Sequence, residues 1–208
     1  MPELVWTVVV AAGSGARFVG PKQFEELGGR RVLDWAVEVA GTATDGVVVV
    51  LPPDRAGDGV AGGVTRSESV RRGLEHVPAD ATIVCVHDAA RPFATAELFR
   101  RVVAAVVGGA DGAVPGVPLD DTVKEVDAAG VVVATPERAR LVSVQTPQAF
   151  RAEVLRKAHS TGGEGTDDAA LVEAIGGRVV AVAGEPENQK LTTPDDLVVA
   201  RRRVSGDL

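Results

Sequence analysis

Cysteine is almost missing from this chain of 208 residues: there is one, Cys85, so no internal disulfide can form. It lies inside the apolar run TIVCV and reads as a core residue with no chemical role. Long apolar runs are missing too. None approaches the roughly 20 residues of a membrane span, and the N-terminus has no basic stretch followed by an apolar core and a cleavage site, so the sequence predicts a cytoplasmic protein. Positive charge is in deficit, with 22 Lys and Arg against 29 Asp and Glu and a net charge of −7. That argues against a general nucleic-acid or membrane-surface binder, and any anionic ligand must meet a locally gathered set of cations. The third glycine of a dinucleotide fingerprint is also lacking. Gly13 and Gly15 are followed at that position by Phe18, which argues against an NAD-dependent dehydrogenase.

What the chain does contain is a series of short Val-rich segments: LVWTVVV before residue 11, GVVVVLP at 46–52, ATIVCVHD at 81–88, DGAVPGVP at 111–118 and GRVVAVAGE at 177–185. Continuous apolar runs of this kind suit strands covered on both faces. Between them lie helical patterns at about 32–40, 67–77, 95–107, 151–159, 167–176 and 194–203. Strands alternating with helices predict an α/β fold with a mostly parallel sheet and right-handed crossovers, in a single domain over residues 1–208. One segment breaks the alternation. In residues 120–150, VKEV and VVVA flank a polar turn from Asp127 to Gly130, which predicts a β-hairpin arm at about 120–145 projecting from the sheet. The Gly, Asp and Pro-rich stretch at 52–63 reads as a polar loop.

In open α/β sheets ligands gather outside the carboxyl ends of the strands. Four chemically loaded stretches fall there: AAGSGARFVGPKQF (11–24) after the first strand, HDAARP after the third, VPLDDT after the fourth and GEPENQK after the fifth. A Gly-rich loop after a first strand cradles phosphate, because glycine lets backbone N–H groups converge on the anion. This one is no Walker loop: Gly15 and Gly20 have the spacing, but Pro21 comes before Lys22, and Gln23 stands where Ser or Thr would hold magnesium. It remains a loop with two cations, Arg17 and Lys22. Asp88, at a strand end beside Arg91, is a natural ligand for a hard cation. Lys190 precedes a helix opened by Thr193 and Pro194, with Asp195 and Asp196 in its first turn. Two lysines, two arginines and one carboxylate at one sheet edge describe a site for a polyphosphate and its metal.

These segments carry a resemblance. AAGSGARF with PKQF, GGVTRSESVRRGL, HDAARPF, DDTVKEV, QTPQAF, TDDAALVE and ENQKLTTPDDL, in that order, resemble the 2-C-methyl-D-erythritol 4-phosphate cytidylyltransferases of the non-mevalonate isoprenoid pathway. The likeness runs from about residue 5 to about residue 200. It implies a Rossmann-like nucleotidyltransferase fold, a three-layer sandwich that binds CTP and magnesium, in which the phosphate of methylerythritol phosphate attacks the α-phosphorus and pyrophosphate leaves. Carried over residue by residue, it implies that Arg17, Lys22 and Lys190 are catalytic, holding the triphosphate and stabilising charge around the α-phosphorus. Ala12, Gly13, Gly15, Gly63 and Ser69 would contact CTP, Asp88 would bind magnesium, and Arg91 would help order the site. Thr122, Arg138 and Thr146 match positions that bind the sugar phosphate. Arg140 lies beside Arg138, and the family spacing to Leu141 and Thr146 selects Arg138. In the family the arm reaches into a partner's site, which implies a homodimer.

The residue types fit that chemistry. Joining two polyanions is an electrostatic and positioning problem, and a phosphate monoester, with a second pKa of about 6, is already ionised near neutral pH. None of His76, His87 or His159 is then needed as a general base, and His87 reads as a structural hydrogen-bonding residue. Two other readings compete. One is a ribitol-5-phosphate cytidylyltransferase, against which Ala90 in HDAARP leans. The other is a non-catalytic nucleotide-binding relative, against which stand the retained Arg17, Lys22, Asp88 and Lys190.

Overall fold

The computed structural model describes residues 3–13, 15, 18, 20–57 and 59–206. In chain order the elements are β1 (Val5–Val10), β2 (Glu26–Leu27), β3 (Arg30–Arg31), α1 (Val32–Ala43), β4 (Gly46–Leu51), β5 (Val60–Ala61), α2 (Arg66–Leu74), β6 (Ile83–Asp88) and α3 (Ala96–Val107). There follow β7 (Gly112–Pro118), β8 (Glu125–Val126), β9 (Val132–Ala134), β10 (Val142–Val144), β11 (Gln148–Arg151), α4 (Ala152–Ser160), α5 (Asp168–Ala174), β12 (Val179–Ala183) and α6 (Pro194–Ser205).

The Val-rich segments form the central sheet. β1 pairs in parallel with β4 on one side and β6 on the other, β5 extends the β4 edge in parallel, and β12 runs parallel to β7. β10 and β11 are the antiparallel exceptions, so the sheet is mixed and mostly parallel. Gly116 faces both Val144 and Ala183, and Ala113 faces both Ala149 and Val180. β10 and β11 therefore lie together on the flank of β7 opposite β12. Helices cover both faces, giving three layers, as β-branched strands buried on two sides require. Val5, Val9, Ile83 and Cys85 pack on one face with Leu33 of α1 and Phe99 of α3. Val8, Val84 and Val86 pack on the other with Val70 of α2, Leu155 of α4 and Val172 of α5. A third cluster, with Leu27, Val32, Leu191 and Leu197, fixes α6 beside the β2–β3 ribbon. Cys85 is buried as a core residue. Among the described residues no helix is long and apolar enough to cross a membrane.

β8 and β9 form a separate two-stranded hairpin off the main sheet. Its turn is set by Asp127, whose Oδ1 accepts from the backbone N–H groups of Ala129 and Val131, both at 2.9 Å, and by Gly130 at φ 81°. The excursion ends sooner than a boundary near residue 145 would place it. Val142–Val144 is already paired with β7, because an open flank of β7 offers ladder partners that solvent does not. The polar loop at 52–63 likewise contributes a short edge strand, β5.

Candidate active site

A cavity of about 540 Å³ opens at the carboxyl ends of β1 and β6, beside the loop that follows β5. Its floor is the chain leaving β1. Ala11 N–H donates to the Val50 carbonyl at 2.8 Å, and the buried Gln23 reaches back with Nε2 to the carbonyls of Ala11 at 2.6 Å and Gly13 at 3.0 Å. Gln23 thus closes the loop on itself. Gly15 sits at φ 65°, and a Cβ there would meet the Gly20 carbonyl oxygen at 1.9 Å, so only glycine lets the loop double back. Ala12, Gly13, Gly15 and Lys22 line the cavity. Lys22 opens a short 3-10 turn and lies close enough to Asp196 for its charge to favour the ionised carboxyl. Arg17 lies outside the described residues.

The opposite wall is the loop into α2. Ser69 Oγ accepts from Gly63 N–H at 3.1 Å and donates to the Thr65 carbonyl at 2.9 Å, while Glu68 accepts from Val64 N–H at 2.7 Å. Thr65 caps the helix by accepting from Glu68 N–H. Gly63 and Ser69 both line the cavity, and Ser69 is buried with its hydroxyl already engaged in holding the loop.

Asp88 is the sole carboxylate among the described residues lining the cavity. Lys190 Nζ donates to its Oδ2 at 2.6 Å and Arg66 Nε to its Oδ1 at 3.2 Å. Burial would raise its carboxyl, but the charges of Arg66 and Lys190 outweigh that and hold it far below the usual carboxylate range. Arg66 continues inward, donating through Nη1 to the fully buried Asp168 at 2.7 Å, and Asp168 in turn meets His159 Nε2 at 3.0 Å. Burial alone would lower the Arg66 guanidinium, and the two carboxylates reverse that, raising it.

Thr146 is buried beneath Asp88. Its hydroxyl accepts from Asp88 N–H at 3.0 Å and lies 3.1 Å from His87 Nδ1, while His87 Nε2 lies 3.3 Å from the Arg91 carbonyl. Burial lowers the His87 imidazole to about 4, so it is neutral at ordinary pH and serves as a brace. Arg91 donates to the carbonyls of Asn188 at 2.7 Å and Val144 at 3.4 Å, tying the loop before Lys190 to β10. Arg91 and Lys190, with Ser143 and Gln145, also line an adjoining hollow of about 310 Å³. Lys190 is common to both spaces.

Of the residues singled out in the sequence, Ala12, Gly13, Gly15, Lys22, Gly63, Ser69, Asp88 and Lys190 meet around one cavity, and Arg91 stands at its neighbour. Thr122 and Arg138 do not join them. Both are exposed on the arm, where Arg138 donates to the Asp120 carbonyl. None of the three histidines lines the cavity. Two residues escape the sequence reading, Arg66 and Gln23. Arg66 carried a signal: a cation in the first turn of a helix opposes the macrodipole, so it needs carboxylates from elsewhere. Gln23 carried none, since its partners are backbone carbonyls.

No group of three or more His, Cys, Asp or Glu among the described residues could enclose a metal. One carboxylate beside a polyphosphate cavity does fit magnesium, which is commonly held by one or two carboxylates plus substrate phosphates. The cavity as a whole suits a nucleoside triphosphate: backbone and small side chains on both the floor and the α2 wall, with the ammonium groups of Lys22 and Lys190 at its lining.

Comparison with known proteins gives this arrangement its relatives. A family model described as IspD, 2-C-methyl-D-erythritol 4-phosphate cytidylyltransferase, matches residues 5–205. The 2-C-methyl-D-erythritol 4-phosphate cytidylyltransferase of Rhodococcus jostii (strain RHA1) is 45% identical over 96% of this chain and 95% of its own. Among solved structures, the 4-diphosphocytidyl-2C-methyl-D-erythritol synthase of Anaerococcus prevotii DSM 20548 superposes with a TM-score of 0.86 at 29% identity, over 98% of this chain and 99% of that one. The 2-C-methyl-D-erythritol 4-phosphate cytidylyltransferase of Thermus thermophilus gives 0.79 at 36% identity, over 95% and 98%. The chain therefore belongs to the 2-C-methyl-D-erythritol 4-phosphate cytidylyltransferase family and is a nucleotidyltransferase.

Proposed function

We propose that this chain transfers CMP from CTP to 2-C-methyl-D-erythritol 4-phosphate, giving 4-diphosphocytidyl-2-C-methyl-D-erythritol and pyrophosphate, in the cytoplasmic synthesis of isoprenoid precursors. The observation that carries the reading is the place of Lys190, which lines both the larger cavity and the adjoining hollow. A cation there stands where two anionic substrates would meet, and where charge gathers as the phosphate oxygen attacks the α-phosphorus. CTP would occupy the larger cavity, its base and ribose toward Ala12, Gly63 and Ser69 and its phosphates over Gly13, Gly15, Arg17 and Lys22. Lys22 and Lys190 would neutralise the transition state, which fixed cations do best where water is scarce. Asp88 would hold magnesium together with the phosphates, and the ion would neutralise charge on the departing pyrophosphate.

The sugar phosphate would lie toward Arg91 and Thr146, with Thr122 and Arg138 of a partner's arm closing over it. The arm supports a homodimer in one respect: Val126, Val131, Val132 and Val133 are each more than half exposed, a patch a second chain could cover. The test is pyrophosphate release with CTP and magnesium, offering methylerythritol 4-phosphate and ribitol 5-phosphate in separate reactions. Release with the first alone is the expected result. Release with ribitol phosphate alone would overturn the substrate, and release with neither would overturn the catalytic reading.

A further inference from the structure

Asp88 has two cationic partners that differ in how firmly they are held. Lys190 touches it through one nitrogen on a flexible four-carbon stem, and its side chain is 38% exposed. Arg66 is 26% exposed and pinned at two points, Nε on Asp88 and Nη1 on Asp168, a carboxylate with no exposure at all. Asp168 is fixed in turn by His159, itself buried, and sits one residue after Asp167, which caps α5. The chain His159, Asp168, Arg66, Asp88 thus runs from the packed face of the sheet to the cavity, and Lys190 is its loose end.

The proposed reaction asks Lys190 to neutralise charge at the α-phosphorus, and its ammonium cannot then stay 2.6 Å from Asp88 Oδ2 with all its charge directed there. From this contrast, and resting on that reading, we infer that Arg66 is a positioning residue: anchored on Asp168, it keeps Asp88 paired and aimed when Lys190 transfers to the substrates. A planar guanidinium can bridge two carboxylates through separate edges, whereas an ammonium is a single point charge. The site therefore uses arginine for the cation that stays and lysine for the cation that leaves. Without Arg66, Lys190 would be the one side chain among the described residues left in an ion pair with Asp88, and that pairing would hold it back from the phosphorus.

The test compares Arg66→Gln, Arg66→Lys, Asp168→Asn and the double variant Arg66→Gln/Asp168→Asn with the wild type. The readouts are kcat and KM for both substrates, and calorimetric CTP affinity in the absence of sugar phosphate. Loss of a residue that orients a site ligand costs about 10–100-fold. Arg66→Gln should lose that much in kcat while CTP affinity moves less than about threefold. Arg66→Lys should not rescue it, and Asp168→Asn should share the defect without adding to it in the double variant, as expected of residues acting along one chain. A wild-type kcat in Arg66→Gln would overturn the inference. So would a loss of CTP affinity that accounts for the whole defect, which would make Arg66 a direct substrate contact. If Arg66→Gln does not fold, Asp168→Asn decides, because it keeps the side-chain shape: a wild-type kcat there overturns the inference. A wild type that releases no pyrophosphate from CTP and methylerythritol 4-phosphate overturns the functional reading and this inference together. An active wild type with equally active variants overturns the inference alone.

Discussion

Gln23 holds Ala11 and Gly13 with one nitrogen, 2.6 Å and 3.0 Å from their carbonyl oxygens, and so fixes the curvature of the loop that follows β1. Gln23→Ala removes the donor and leaves two inward carbonyls without it. The cost should be about 1–3 kcal/mol of stability, with a raised KM for CTP and a smaller change in kcat. Chemical denaturation and initial rates check both, and an unchanged KM would show that the loop holds its shape unaided.

Gly15 is the other constraint on that loop. Gly15→Ala places a Cβ against the Gly20 carbonyl and at an unfavourable positive φ. Because the sheet core does not involve this residue, the variant should fold and lose CTP affinity by tenfold or more, on the order of 1.4 kcal/mol. Titration calorimetry together with a melting curve separates the two effects.

Lys22→Ala and Lys190→Ala should each lower turnover by about a hundredfold or more, while Arg138→Ala should raise KM for the sugar phosphate and leave CTP affinity alone. The contrast follows from position: the lysines line the cavity, and Arg138 is on the arm. Steady-state kinetics in both substrates checks it, and an Arg138→Ala effect confined to CTP would contradict the assignment.

Two buried groups illustrate how stability depends on pH. Burial would raise the Asp168 carboxyl, but Arg66 and His159 hold it below its ordinary 3.8. The unfolded chain therefore takes up this proton first as pH falls, so the contribution is intact above 3.8 and is lost as pH drops through the lower folded value. Asp168→Asn should flatten the acid limb of a plot of urea midpoint against pH. Burial pushes the Cys85 thiol up from 9.0 to about 12, so its contribution is present below 9.0 and lost as pH rises toward about 12. A thiol reagent at about pH 8 should modify Cys85 in urea and spare it in the native protein.

Much of this architecture was legible because its signals are local. Val-rich runs such as VWTVVV and IVCVHD mark strands covered on both faces, and Thr193 with Pro194 marks the start of α6, where the capping box with Asp196 is found. Three of the four loops expected at one sheet edge, those carrying Lys22, Asp88 and Lys190, meet at the cavity, while the stretch with Thr122 leads off into the arm. The contacts that knit those loops together were not legible, because they join residues far apart in sequence: Arg66 to Asp168 and Lys190 to Asp88 are each separated by 102 positions. Nor does periodicity show β10 and β11 as antiparallel members of the main sheet. Their place depends on an open flank of β7, a property of the assembled sheet rather than of either segment.

The separation of Lys190 from Asp88 also orders events in time. A ribosome adding about 5–20 residues per second needs roughly 5–20 seconds to travel the 102 positions between them. Throughout that interval the emerging chain already contains the strand and loop of the cavity floor, yet lacks the cation that lines both hollows. On the proposed reading, a translation product interrupted before Lys190 would hold the larger cavity and lack the cation that joins it to the adjoining hollow.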